Sequence, residues 1–186
     1  CQLCEIACNL LDCTADLFDT ALHGLIAAGE IVKAEIHGTK AIYLEYFYLA
    51  EEYVSKCIIG MCENKYSKIK DIEKKIDKLE RDLNITYAAN QREAIREALE
   101  NQFMIITGGP GTGKTTALKG IIRLLEEEGQ SVALAAPTGR AAKRMSELTG
   151  KEASTLHRLL EMQYGSDDRN VVFLKNEEDK LDYDTV

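Results

Sequence analysis

The sequence predicts an α/β fold with a parallel sheet, built around a phosphate-binding loop, and three observations carry that reading. Residues 103–107 (Phe-Met-Ile-Ile-Thr) are short, apolar and β-rich, as a buried parallel strand should be. Residues 108–116 read Gly-Gly-Pro-Gly-Thr-Gly-Lys-Thr-Thr and fit G-x-x-x-x-G-K-[ST], with Gly108, Gly113, Lys114 and Thr115 at the fixed positions. Residues 115–128 have helical composition and stop at Gly129, a natural helix end. The order strand, glycine loop, helix is the context that the motif requires.

The residue types dictate the chemistry of the loop. Glycines let the backbone take positive φ and approach phosphates closely. The loop N–H groups and the helix N-terminus together make an anion site. The expected nucleotide contacts are Gly108, Gly109, Pro110, Gly111, Thr112, Gly113, Lys114, Thr115 and Thr116. Lys114 is expected to bring a point charge to the β- and γ-phosphates. Thr115 is expected to offer its hydroxyl to Mg²⁺ that bridges them. A glycine-rich turn that binds nothing is the competing reading, and the full pattern in its full context argues against it.

The chain has 186 residues, enough for one domain plus a smaller one. No segment is long and apolar enough to span a membrane and no signal peptide is visible, so a cytoplasmic protein is expected. The chain opens on Cys1 in place of methionine and ends as an apolar run begins, which reads as a piece of a longer protein. The net charge of −8 does not favour nucleic acid, although it leaves room for a local basic groove. Of six cysteines, four lie at Cys1, Cys4, Cys8 and Cys13. Cys1, Cys4 and Cys8 share a helix face with Leu11, which favours packing over a zinc or iron–sulfur site, since the spacing completes no ligand set.

Residues 1–50 read as a small helical unit followed by a hairpin. Thr14 caps a helix whose Leu17, Phe18, Ala21, Leu22, Leu25 and Ile26 recur on one face, ending at Ala28 and Gly29. Two β-rich runs at 30–36 and 40–46 are joined by His37, Gly38 and Thr39. That order is winged-helix-like, with DNA contact and plain packing as its two readings. Residues 51–83 read as one long amphipathic helix with at most one break, a connector carrying Val54, Ile58, Met61, Ile69, Ile72, Ile76, Leu79 and Leu83 on its apolar face. The interleaved Asp71, Glu73, Lys74, Lys75, Asp77 and Lys78 read as a solvated face.

The second domain is expected to start at residue 84. Asn90 is the expected cap of its first helix, with Glu93 completing a capping box and Ala94, Ile95, Ala98 and Leu99 buried. Gln91, in the first turn, has an amide suited to adenine's N6/N7 edge. Residues 131–136 (Ser-Val-Ala-Leu-Ala-Ala) read as a second buried strand, turning through Pro137, Thr138, Gly139 and Arg140 into a helix near Ala141. Two strand–loop–helix units in succession imply parallel strands, with ligands beyond their carboxyl ends. Thr138, Gly139 and Arg140 lie at such an end and are suited to a phosphodiester. Ser154 is the expected cap of a third short helix whose Thr155 and His157 share that groove. Residues 163–170 read as a polar loop, 171–174 as a strand and 176–180 as a charged loop.

These residues together resemble the RecD family of superfamily 1 DNA helicases, closest to its RecD2-like (RecD/TraA-type) branch. Four stretches carry the resemblance: Asn90-Gln91-Arg92-Glu93-Ala94, like the family's Q motif; residues 108–116, motif I; Ala136-Pro137-Thr138-Gly139-Arg140-Ala141-Ala142, like motif Ia; and Ser154-Thr155-Leu156-His157-Arg158-Leu159-Leu160. It covers residues 84–186 well and the rest loosely. It implies a RecA-like P-loop NTPase motor domain 1A, here in part, behind a helical, winged-helix-like N-terminal domain. It implies a motor that uses ATP and Mg²⁺ to move 5′→3′ along single-stranded DNA, with DNA-repair proteins as further partners. In that scheme Lys114 and Thr115 are catalytic, Gln91 reads adenine, and Thr138, Gly139, Arg140, Thr155 and His157 line the DNA track.

One departure matters. The family's Asp-Glu pair closes an apolar strand, and here that strand is expected to start near Thr185, so the chain reads as stopping before the Walker B motif. An arginine finger is also missing, and such a group contributes about 10³–10⁵ in rate in related enzymes. Weak nucleotide binding and poor hydrolysis are therefore expected of these residues alone. The alternative, from another class, is a non-motor nucleotide-dependent DNA-binding loader or regulatory module.

Overall fold

The computed structural model describes residues 2–63, 69–164 and 171–186. It divides into two compact units, Cys1–Glu63 and Asn64–Val186.

The first unit holds helices α1 (Gln2–Leu11) and α2 (Ala15–Ala27), strands β1 (Ile31–Ile36) and β2 (Thr39–Leu44), and helix α3 (Glu45–Glu63). Thr14 caps α2 as expected, its hydroxyl accepting the Leu17 N–H at 3.4 Å. β1 and β2 pair antiparallel from Ile31↔Leu44 to Ile36↔Thr39. Their two-residue turn has φ of 49° at His37 and 77° at Gly38, the left-handed pair that matches strand twist in tight hairpins. Ile31 alone among the described residues of this unit is buried. Cys4 and Cys8 are half-buried between α1 and its surroundings rather than in a core. Cys1 lies outside the described residues.

The second unit begins with α4 (Ile72–Leu83) and α5 (Ala89–Glu100), continues through the glycine loop into α6 (Lys114–Glu127), and adds β3 (Leu134–Ala136), α7 (Gly139–Thr149), β4 (Ala153–Thr155), the single turn α8 (Leu156–Leu159), β5 (Met162–Tyr164) and β6 (Val171–Phe173). Its core joins Ile72, Ile76 and Leu79 of α4, Ile95 and Leu99 of α5, and Ala117, Ile121, Ile122, Leu124 and Leu125 of α6 to Val132 and Leu134. Ile72, Ile76 and Leu79 recur at four- and three-residue steps, so α4 presents one apolar stripe to α5 and α6. Each such fully buried side chain contributes about 1.5–3 kcal/mol relative to exposure.

β3 and β4 pair in parallel, from Leu134↔Ala153 to Ala136↔Thr155. On the other side of β3, Val132 bridges Thr185 in parallel, with Ala133 N–H donating to the Thr185 carbonyl at 2.9 Å. The contact at Thr185, where the sequence leads one to expect a strand, is a single isolated bridge. β5 and β6 form an antiparallel pair, so residues 163 and 164, read as the start of a polar loop, belong to a strand. Residues 165–170 of that loop lie outside the described residues.

Several expectations are corrected. Residues 103–107 join no ladder among the described residues, and Ile105 is 72% exposed. A strand exists only through its neighbours' N–H and C=O groups, and apolar composition does not provide them; Ile106 still packs on the core. Residues 51–83, read as a helix with at most one break, fall in α3 of the first unit and α4 of the second, with residues 64–68 between them outside the described residues. The helix expected to be capped by Asn90 is capped two residues earlier, by Ala88, and starts at Ala89. Ser154 is a strand residue of β4, and Thr155 caps α8. The helix expected near Ala141 starts at Gly139.

Candidate functional site: a phosphate loop and its flanking residues

The loop of residues 108–113 wraps around the Lys114 side chain. The Lys114 ammonium donates to the carbonyls of Gly108 and, at 2.7 Å, Gly109. The Thr112 hydroxyl donates to the Gly109 carbonyl at 3.0 Å, drawing the loop into a ring. Gly113 is the left-handed N-cap of α6, with φ 80°. A Cβ there would lie 2.0 Å from Gln91 Nε2, so both the conformation and the space call for glycine. The first N–H groups of α6 have no intrahelical acceptor, as in every helix, and open at the positive end of its dipole. A fixed ammonium beside those donors suits a polyphosphate.

Gln91 reaches this loop from α5. Its Nε2 lies 3.5 Å from the Thr112 carbonyl and 3.4 Å from that of Gly113, and its Oε1 accepts the Ala88 N–H at 2.9 Å. The amide thus fastens the start of α5 to the end of the phosphate loop. Thr115 and Thr116 follow Lys114 in the first turn of α6, Thr115 half-buried and Thr116 exposed. Among the described residues no set of three histidine, cysteine or acidic side chains is arranged to hold a metal.

The other candidates gather at the carboxyl ends of the parallel pair. Ala136 and Thr155 are register partners at the ends of β3 and β4. Thr138 caps α7, its hydroxyl accepting the Ala141 N–H at 3.3 Å, and exposed Gly139 and Arg140 open that helix. Thr155 caps α8 by accepting the Arg158 N–H at 3.2 Å, and exposed His157 lies with its ring centroid 6.3 Å from that of Phe173. The parallel register therefore brings Thr138, Gly139, Arg140, Thr155 and His157 to one edge, where α/β sheets bind ligands.

A cluster missed in the sequence adjoins Gln91. Arg92 donates to Glu73 (2.8 Å), Asp77 (2.6 Å) and Glu80 (2.7 Å), all on α4. Its hydrogen bonds to the Glu73 and Asp77 carboxylates hold the guanidinium charge still more firmly than usual. Glu80 also accepts the Tyr87 N–H at 2.7 Å. The signal was present as three acids at i, i+4 and i+7, but they read as a solvated face because their partner lies on another helix.

Loop, lysine, capping glycine and sheet edge together define a P-loop nucleotide-binding domain of the α/β class. The comparisons narrow it. A family model described as "AAA domain" matches residues 91–186. The chain is 47% identical over 70 residues to the ATP-dependent RecD2 DNA helicase of Deinococcus radiodurans, covering 38% of this chain and 10% of that protein. It is 43% identical over 86 residues to the ATP-dependent DNA helicase dda of Enterobacteria phage T4, covering 46% and 19%. It is 29% identical over 155 residues to the RecBCD enzyme subunit RecD of Mycobacterium tuberculosis, covering 70% and 26%. The chain belongs to this AAA-domain family and, within it, to the RecD family of superfamily 1 helicases. It spans between a tenth and about a quarter of the length of these three relatives.

Proposed function

We propose that this chain supplies the ATP site of an ATP-driven DNA helicase that moves along single-stranded DNA. The observation that carries the proposal is the loop of residues 108–113 closed around Lys114 and buttressed by Gln91. An arriving polyphosphate would take over the Lys114 ammonium from the loop carbonyls and accept the N–H groups at the start of α6. Thr115 would hold Mg²⁺, which neutralises charge developing on the phosphates when bound. Gln91 would turn its amide to adenine. Thr138, Gly139, Arg140, Thr155 and His157 would line the DNA track, an assignment supported by their shared position beyond β3 and β4. The 5′→3′ direction rests on the resemblance to the RecD2-like branch. A winged-helix role for the first unit rests on its order of two helices and a hairpin. The reading of DNA-repair proteins as partners is supported by a relative named as a RecBCD enzyme subunit.

The test is ATP hydrolysis with and without single-stranded DNA by the protein that carries this chain. DNA-stimulated turnover that falls by about a hundredfold or more in Lys114→Ala is expected, the scale on which lost transition-state donors are felt. Turnover indifferent to DNA would remove the helicase reading in favour of a nucleotide-switched loader.

A further inference from the structure

We propose that Arg92 is a positioning residue for the nucleotide site: clamped by Glu73, Asp77 and Glu80 of α4, it sets Gln91 against the phosphate loop and so tunes the preference for adenine. The inference rests on the nucleotide reading above. Successive helix residues point about 100° apart, so Gln91 and Arg92 face different neighbours from one rigid turn. Gln91 lies on Thr112 and Gly113, while Arg92 lies on α4.

The clamp is closed on itself. Glu80 takes Arg92 Nη1 with one carboxylate oxygen and the Tyr87 N–H with the other, holding the chain that enters α5. Gln91 Oε1 takes the next N–H, that of Ala88. Two consecutive backbone donors are thus fixed by the same cluster that fixes the first turn of α5. The far side of α4 is tied as well, Lys75 to Glu128 and Lys78 to Glu127 at 3.7 Å, at the C-terminal end of the phosphate-loop helix. α4 therefore spans the helix that begins at the loop and the helix that carries Gln91.

The energetics separate the three acids. The Glu73 and Asp77 side chains are 58% and 57% exposed, so each pair alone contributes little. Glu80 is only 15% exposed and bonded twice, so it anchors the guanidinium, and the outer two select its orientation. A shared guanidinium restrained from three sides holds a helix turn more tightly than one surface pair does.

The experiment is binding of N-methylanthraniloyl-ADP and N-methylanthraniloyl-GDP with Mg²⁺ to the full chain, with folding checked by circular dichroism. Arg92→Ala is expected to weaken ADP analogue binding about five- to tenfold and to shrink the ADP-over-GDP preference, within the range of coupling between contacting residues. Arg92→Lys, which keeps charge but not the fork, should recover only part of the preference. The Glu73→Gln/Asp77→Asn pair, at exposed positions, should shift it in the same direction and carries the test if Arg92→Ala does not fold. In a Gln91→Ala background Arg92→Ala should change the preference no further. An unchanged preference in folded Arg92→Ala, or its full effect persisting without Gln91, overturns the inference and leaves the nucleotide site standing. A wild-type chain that binds neither analogue removes the site reading itself, and this inference with it.

Discussion

Gly120 sits in the middle of α6, where alanine is ordinarily better than glycine by about 1 kcal/mol. Here the sign should reverse. A Cβ at Gly120 would lie 2.6 Å from the Tyr87 hydroxyl oxygen and 3.1 Å from both Tyr87 Cζ and Ile95 Cδ1. Neither neighbour has room to retreat, Tyr87 being 4% exposed and Ile95 fully buried. An approach of 2.6 Å to an immobile oxygen puts the overpacking cost in the upper part of its range, about 2–3 kcal/mol, so after the roughly 1 kcal/mol gained in helix propensity Gly120→Ala should lose roughly 1–2 kcal/mol net. That raises exchange of the α6 amides about 5- to 30-fold in a regime set by opening equilibria. Removing the oxygen should relieve the clash. The Tyr87 hydroxyl is buried without a hydrogen-bond partner among the described residues, and burial together with Glu80 pushes its pKa up. Tyr87→Phe alone should therefore be neutral or stabilising by about 1 kcal/mol, and Gly120→Ala should cost less in its presence. Hydrogen exchange resolved by mass spectrometry reads α6 separately from the first unit. Slower α6 exchange in Gly120→Ala would refute the packing argument, and equal costs in both backgrounds would refute the role of the Tyr87 oxygen.

The Cys8 thiol is pushed up to about 11, by burial first and then by the neighbouring Cys4 and Cys13 thiols. Its thiolate fraction at pH 8 is then roughly a hundredfold below that of an unperturbed cysteine, so iodoacetamide should label exposed Cys62 well before Cys8, read by peptide mass spectrometry. A raised folded pKa means that its contribution to stability is full below the unperturbed value of 9.0 and is lost as pH rises through about 11, so the first unit should loosen over that window. Thr138→Ala removes the cap of α7 and should cost about 1 kcal/mol in urea unfolding, whereas Thr138→Ser should recover most of it.

The loop was legible because its chemistry is local. Gly113, Lys114 and Thr115 owe their placement to neighbours within a few residues, and the left-handed cap appears where the pattern puts it. The caps show how far local signals reach. Thr14 and Thr138 hold their helices by their own hydroxyls. Asn90 and Ser154 were equally plausible by composition. Ala88 instead caps α5, because Gln91 reaches back to its N–H, and Ser154 belongs to β4, because β3 pairs with it. The acids of α4 read as solvent-facing because a single helix gives no sign of a guanidinium arriving from another.

The sequence by itself determined the phosphate loop, the helices with strong apolar periodicity and the family, since each rests on short-range spacing. Tertiary structure alone decided which candidates share an edge, which strand finds a neighbour and what Gln91 touches. The parallel register carries Thr138 and Thr155 to the same end of β3 and β4. Residues 103–107 stay out of every ladder among the described residues although their composition is that of a strand. Arg92 meets its acids across 12 to 19 residues of chain. The physical reason is common to all three: hydrogen-bond ladders and ion pairs are made by groups distant in sequence, and their partners exist only once the chain has packed.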